Sequence, residues 1–429
     1  MATSNKNNKK AIVVGIYGIQ GCSKTYLLNQ LKQSLGHDHF SFYDSSTMIA
    51  KLVPGGISAF LKLSEEEKLP YRHKAISTVS QQSSSSGKVA IVTGHLMFWP
   101  EGEGAGKVVC TQSDWDTYTH ILYLDFPAED IVQRRSDDKE RQRPAMSVAH
   151  LKKWQEEEKT QLRKLCYQHG ILFSIWTQHS ELPDKVSTLL HDFRHHDEEH
   201  NLSLANRKTD EIVALGQGKV ETMLVMDADR TLAAQDSGAL FWKMVSDSRQ
   251  PTDDESPLKT LFNSPLGYSY TAFRQVALLY GEMGDEQEFD ALCERVASTM
   301  TMHTEFVTLL NAARREHVGV VVVTCGLRRV WEKVLERTGL SETVKVIGGG
   351  RISVGFVVTP AAKAAIVSRL RKVHHLYVWA FGDSLLDLPM LRKAYQAIVI
   401  VIEEQDRSKT MDAELLKAIG NDGLSARQA

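Results

Sequence analysis

The sequence predicts an α/β protein of two domains, each built on a parallel sheet. Three observations carry that expectation. At 429 residues the chain is longer than one ordinary hydrophobic core organises. Near its start, the β-branched residues 11–15 pass through a glycine-rich loop into a helix-spaced leucine series, Leu27, Leu28, Leu31 and Leu35. In its second half, residues 318–324 (VGVVVVT) and 376–381 (LYVWAF) are apolar almost throughout and then meet polar residues, the pattern of parallel strands buried on both faces. The expected boundaries are residues 1–190 for the first domain, 191–218 for a linker and 219–429 for the second domain, with a helical insertion at about 232–304.

Hydrophobic residues make up 42% of the chain and charged residues 24%, the balance of a soluble globular protein rather than of a disordered or fibrous one. A formal net charge of −2 provides no global field for a polyanion and argues against nucleic acid as an obligatory partner. The five cysteines, Cys22, Cys110, Cys166, Cys293 and Cys325, are scattered and form no Cys-x-x-Cys pair, as expected of reduced thiols in the cytoplasm. The polar start of the chain lacks the apolar centre of a signal peptide, and no later stretch reaches membrane-spanning length. A cytoplasmic protein without a membrane partner is therefore expected. Its oligomeric state is not legible.

Residues 15–25 (GIYGIQGCSKT) separate the first strand from the first helix. The spacing of Gly18, Gly21, Lys24 and Thr25 fits a phosphate-binding loop, in which backbone N–H groups and the following helix N-terminus cradle phosphate. Lys24 adds a charge and Thr25 offers a hydroxyl to Mg2+. Ser23 departs from the pattern, since glycine is usual just before the lysine and a side chain there tightens or distorts the cradle. Residues 40–43 read as a second strand that delivers Asp44, which is either a catalytic base or the N-cap of a helix beginning at Ser45. Residues 89–95 read as a further strand with no acid behind it, and His95 at its end either touches substrate or is structural. Residues 120–125 form another strand, followed by a helix carrying Arg134 and Arg135. The mixed-charge run after it, with Arg141 and Arg143, is either a solvated face or a lid. Residues 146–165 read as an exposed helix laced with ion pairs, and residues 170–175 as the last strand of the domain.

Over about residues 10–176 this series resembles the phosphate-loop class of small-molecule and nucleotide kinases. The resemblance implies ATP, or another nucleoside triphosphate, held by Gly18, Gly21, Ser23, Lys24 and Thr25, with the acceptor met by Asp44. It also implies a lid in which Arg135, Arg141 and Arg143 close over the transferring phosphoryl group and offset its charge. Many members place an acid after the strand that here ends at His95, so metal binding in this half is left open.

Periodicity stops after Leu190, and the polar, histidine-bearing stretch to Gly218 reads as an interdomain connection. The spacing of its histidines matches no standard metal site.

The second domain opens on residues 224–229 (LVMDAD), an apolar run ending in Asp227 and Asp229. On a strand those two carboxylates share a face, and such a pair is costly unless a hard divalent cation such as Mg2+ sits with it. A polar turn is the alternative for the pair taken alone. Three further pieces follow in order: Thr324 at the end of an apolar strand, Lys363 opening a helix after Thr359 and Pro360, and Asp383 and Asp387 after the strand 376–381.

Over about residues 219–416 that order resembles the haloacid-dehalogenase superfamily, and most nearly its phosphoserine-phosphatase branch. The resemblance implies a phosphomonoester hydrolase with a Rossmann-like sheet and a helical cap inserted after the first motif. Asp227 is then the nucleophile that forms an aspartyl-phosphate, and Asp229 the acid and base. Thr324 and Lys363 receive phosphate charge, and Mg2+ is held by Asp227, the backbone carbonyl of Asp229, Asp383 and Asp387. Tyr270 and Arg274 are cap residues for which packing explains as much as substrate contact.

Two other functions fit the same motifs. Polynucleotide kinase-phosphatases join the same domain types, but they need an open, basic approach that the near-neutral charge and the large cap do not favour. A regulatory protein that senses nucleotide without transferring phosphate fits Ser23 and the missing strand-end acid. The paired domains also resemble part of fungal multidomain proteins that continue into a uracil-phosphoribosyltransferase-like domain, with residues 397–428 carrying some of the likeness. This chain is then a shorter relative or a piece of a longer one. The phosphate ester and the kinase acceptor are not legible.

Overall fold

The computed structural model of the chain describes residues 10–138, 144–177, 180–215, 220–248, 256–316, 318–401, 409–420 and 425–428. The chain divides into two compact units, the first ending at His195 and the second beginning at His196, with Ser264–Leu266 grouped with the first. Both are α/β units built on parallel sheets, as the strand patterns predict.

In chain order the first unit has β1 (Val13–Tyr17), β2 (Phe40–Tyr43), β3 (Val89–Thr93), β4 (Met97–Phe98), β5 (Lys107–Val108), β6 (His120–Asp125) and β7 (Leu172–Thr177). β4 and β5 pair antiparallel with each other. The others lie in the order β2-β3-β1-β6-β7, with every neighbouring pair parallel. All residues of β1 and β3 are buried, as central strands covered on both faces must be. The helix Lys24–Leu35 buries Leu27, Leu28 and Leu31, and the helix Val148–His169 buries Leu151, Trp154, Glu158 and Leu162 at helical spacing. The register brings Ile16 of β1 beside Thr93 of β3, and Val92 beside Tyr43 of β2. The carboxyl ends of three strands therefore meet at the glycine-rich loop, the edge at which open parallel sheets place ligands.

The second unit has β8 (Thr222–Met226), β9 (Gly319–Leu327), β10 (Val344–Gly349), β11 (Tyr377–Gly382), β12 (Gln396–Val399) and β13 (Ala426–Gln428). They lie in the order β10-β9-β8-β11-β12-β13, again with all neighbours parallel. Val225, Val321, Val323, Val378 and Ala380 pack with Ile366, Val367 and Leu370 of the helix Pro360–Lys372. Between β8 and β9 the chain forms the helices Ser237–Ser248, Pro257–Phe262, Tyr270–Gly281, Glu286–Thr299 and Thr304–Arg315. Phe241, Tyr280 and Phe289 meet there edge-on or tilted, and Trp242 stacks on Tyr280.

Within the stretch 191–218, the described residues include the end of the helix Leu182–His195 and the helix Glu198–Leu215. The second buries Asn201, Ala205 and Thr209, one residue per turn. Asn201 binds the backbone of Val357 in both directions, Nδ2 donating at 2.8 Å and Oδ1 accepting at 3.0 Å. Arg369 forms a bidentate pair with Asp210 of the same helix. A buried stripe of asparagine, alanine and threonine has almost no hydrophobic signal, so the periodicity was invisible. Among the described residues, no helix is long and apolar enough to cross a membrane.

Candidate active sites

In the second unit β8 lies between β9 and β11, so Asp227 and Asp383, each just beyond a strand end, converge with Thr324, three residues before the end of β9. The Asp227 backbone N–H extends the pairing by donating to Phe381 O at 2.9 Å. Lys363, buried in the first turn of its helix, bridges two carboxylates, donating to Asp227 Oδ1 and to Asp387 Oδ1, the latter at 2.7 Å. Asp387 accepts with its other oxygen from Ser384 N at 3.0 Å and Ser384 Oγ at 2.7 Å. Thr231 Oγ1 lies 3.1 Å from Asp383 Oδ1 and 3.4 Å from Asp227 Oδ2, which joins the turn after β8 to the end of β11.

Ligand atoms of Asp227, Asp383 and Asp387 all lie within 4.8 Å of one another. Three carboxylates there face one ammonium, so two negative charges in the cluster go unmatched by it. That is the charge of one divalent cation, and hard oxygen donors are the set Mg2+ prefers. The electrostatics follow. Burial, and then the charges of Asp387 and Asp383, push the Asp227 carboxyl well up despite Lys363. Burial and Asp387 push Asp383 up to about 7. Burial alone lowers the Lys363 ammonium, but Asp227 and Asp387 hold it well above its ordinary value, so it is a fixed cation.

Asp229 stands apart from this cluster. Its Oδ1 accepts from Ser237 N at 2.8 Å and Trp331 Nε1 at 3.0 Å, and its Oδ2 from Ser237 Oγ at 2.9 Å. Burial, with the charge of Asp236, raises its carboxyl to about 6 against those hydrogen bonds. Gly326 allows the approach, since a Cβ there would meet Asp229 Oδ2 at 2.2 Å. The Gly326 N–H donates to Thr324 Oγ1 at 2.8 Å. The residues expected from the sequence, Asp227, Asp229, Thr324, Lys363, Asp383 and Asp387, lie together at one end of one sheet. Ser237 and Trp331, which contact Asp229, were not among them, and no local pattern marks them. Of the two cap candidates, Arg274 is buried on the helix Tyr270–Gly281.

In the first unit the loop between β1 and the helix Lys24–Leu35 turns at Gly18 with φ +141°, where an added Cβ would meet Cys22 Sγ at 2.7 Å and Leu124 O at 2.9 Å. Ser23 sits at φ 64°, the left-handed conformation that explains why glycine is usual there. The loop is therefore formed despite the substitution, with the strain held locally. Lys24 Nζ lies over it, 2.5 Å from Gly18 O, 3.0 Å from Ile19 O and 3.4 Å from His95 Nδ1. Arg134 reaches Ser23 Oγ at 3.3 Å, and Arg135 donates to Gln20 O at 3.2 Å and Pro144 O at 2.8 Å. Arg141 and Arg143 lie outside the described residues. Asp44 caps the helix Ser45–Leu52 and touches Thr25 Oγ1 at 3.1 Å. A cavity of about 1190 Å³ joins Ser23, Lys24, Thr25, Asp44 and His95 to an apolar wall that includes Phe60, Ile76, Val79 and Phe98.

Residues 224–392 match the family model of the haloacid dehalogenase-like hydrolases. Residues 17–152 match that of an AAA domain. The chain thus joins a phosphate-loop domain to a domain of the hydrolase kind. No curated protein matches it. Among solved structures, a protein of unknown function from Bordetella pertussis Tohama I is 15% identical over 48% of this chain and 98% of its own, with a TM-score of 0.37. A phosphoserine phosphatase in its apo form is 14% identical over 47% of this chain and 98% of its own, with a TM-score of 0.31. A HAD family hydrolase from Salmonella enterica subsp. enterica serovar Typhi is 16% identical over 48% of this chain and 73% of its own, with a TM-score of 0.34. The reading of the hydrolase site rests on the family match and on its own geometry.

Proposed function

We propose that the second unit is a Mg2+-dependent phosphomonoester hydrolase that works through an aspartyl-phosphate on Asp227. The first unit, in this reading, is a domain of the small-molecule kinase kind that binds ATP or another nucleoside triphosphate. The observation that carries the hydrolase reading is the buried Lys363 bridging Asp227 and Asp387 while Asp383 completes a cluster short of two positive charges.

Asp227 attacks phosphorus as the bond to the ester oxygen breaks, and Asp229 gives its proton to the departing alkoxide. Asp229 then takes a proton from the water that attacks the aspartyl-phosphate, which frees Asp227 and releases phosphate. Splitting hydrolysis this way replaces one hard step with two easier ones. Thr324 and the N–H groups after it receive phosphate oxygens, and Lys363 holds Asp227 and offsets phosphate charge. Mg2+, when bound, offsets the repulsion between a dianionic ester and an anionic nucleophile. Asp227, Asp383 and the Asp229 carbonyl would hold it. Asp387 has both oxygens engaged and acts from behind them. The helices between β8 and β9 form the cap that selects the ester.

The test is hydrolysis of a panel of phosphorylated metabolites with Mg2+, set against Asp227→Asn. Activity should fall by several orders of magnitude in the variant and vanish from wild type with EDTA. Hydrolysis that survives Asp227→Asn removes Asp227 as the nucleophile.

A further inference from the structure

Asp44 was expected to be a base or a helix cap, and the structure shows it divided between two neighbours. Its Oδ1 belongs to the helix Ser45–Leu52, accepting from Thr47 N and Thr47 Oγ1, both at 2.9 Å, and from the Ser46 hydroxyl. Its Oδ2 turns toward the phosphate loop, 3.1 Å from Thr25 Oγ1 and 3.4 Å from Thr93 Oγ1. Thr93 ends β3 with a hydroxyl, and its Oγ1 also accepts from Ser45 N at 3.1 Å. The ends of β2 and β3 thus present one carboxylate to the hydroxyl that follows Lys24, inside the cavity that Lys24, Ser23 and Arg134 line.

We propose that Asp44 anchors the Mg2+ that accompanies the nucleotide, acting with Thr25, and is not the base that deprotonates an acceptor. The proposal rests on the nucleotide-binding reading of the phosphate loop. The donor set fits the ion: a hydroxyl and a carboxylate oxygen, both hard, stand side by side next to a loop shaped for phosphate. The orientation is fixed as well, because the helix cap holds Oδ1 and leaves Oδ2 to face Thr25. A base needs an oxygen free to take the acceptor's proton, and both Asp44 oxygens are engaged, Oδ1 by the helix cap and Oδ2 by the Thr25 and Thr93 hydroxyls. With Asp44 in that place, the missing acid at the end of β3 is no defect, since the neighbouring strand supplies one.

The experiment is calorimetric titration of the full chain with ATP and with GTP, in excess Mg2+ and in EDTA. Wild type should bind the nucleotide about tenfold more tightly with Mg2+, the size of an ordinary coupling between two ligands. Asp44→Asn keeps the helix cap, because asparagine caps as well as aspartate, and should cut that gain to about twofold while leaving metal-free binding in place. Thr25→Val should do the same, and Thr25→Ser should restore the gain. A full Mg2+ gain retained in either Asp44→Asn or Thr25→Val overturns the proposal, and so does a wild type whose binding ignores Mg2+. Wild type that binds neither nucleotide removes the phosphate-loop reading, and the proposal falls with it. If Asp44→Asn does not fold, the two Thr25 variants decide.

Discussion

Asp229 accepts three hydrogen bonds, from Ser237 N, Ser237 Oγ and Trp331 Nε1, and they fix the direction in which it offers a proton. If Trp331 aims a catalytic acid, its loss hurts most where the leaving group needs protonation. Trp331→Phe should slow hydrolysis of an alkyl phosphate roughly tenfold or more and leave p-nitrophenyl phosphate within about twofold, since nitrophenolate departs without a proton. Equal losses on both esters would reduce Trp331 to packing. A second buried acid sets a pH dependence in the first unit. Glu158 is fully buried against Met97 N and Tyr123 OH, and burial pushes its carboxyl up to about 7 despite the nearby Lys24 charge. An acid that holds its proton more tightly folded than unfolded stabilises the fold below the ordinary glutamate range. That contribution is lost as pH rises from about 4.5 to about 7, at a cost of roughly 3 kcal/mol. Glu158→Gln should flatten the fall, as measured by denaturant midpoints across that window. An unchanged slope would place the dependence on another group.

Among the elements, the helix Glu198–Leu215 shows best what the sequence conceals. Its hold on the second unit includes the two-way bond between Asn201 and Val357. Asn201→Ala leaves a buried N–H and a buried carbonyl without that partner, which should cost about 2–4 kcal/mol. Chemical denaturation of the second unit reads this directly, and a midpoint equal to wild type would mean that water replaces the amide. The strands were legible for the opposite reason. β1, β3, β8 and β9 are buried along almost their whole length, so each appears in the sequence as an unbroken apolar run. The loop before Lys24 was legible from glycine spacing, whereas the left-handed Ser23 that completes it was not, because serine carries no signal for φ above zero.

For the molecule as a whole, the chain's length and its two separate sets of strand-end polar residues determined that there are two α/β units, each with a site at the carboxyl edge of its sheet. Residue type and order also supplied the side chains of the proposed chemistry, since Asp227, Thr324, Lys363 and Asp383 are the residues that the proposed phosphate transfer to a carboxylate would use. Tertiary structure alone decided how those groups divide their work. Lys363 and Asp227 are 136 residues apart, and Trp331 and Asp229 are 102 apart. It is the order of strands in the sheet, not distance along the chain, that sets Lys363 against two carboxylates and gives Asp229 donors of its own. The same holds for Asp44, whose neighbours are Thr25 in the first turn of the helix Lys24–Leu35 and Thr93 at the end of β3. Local sequence records which side chain a strand delivers, whereas the hydrogen-bond partners that tune it come from segments the strand meets only once the sheet has formed.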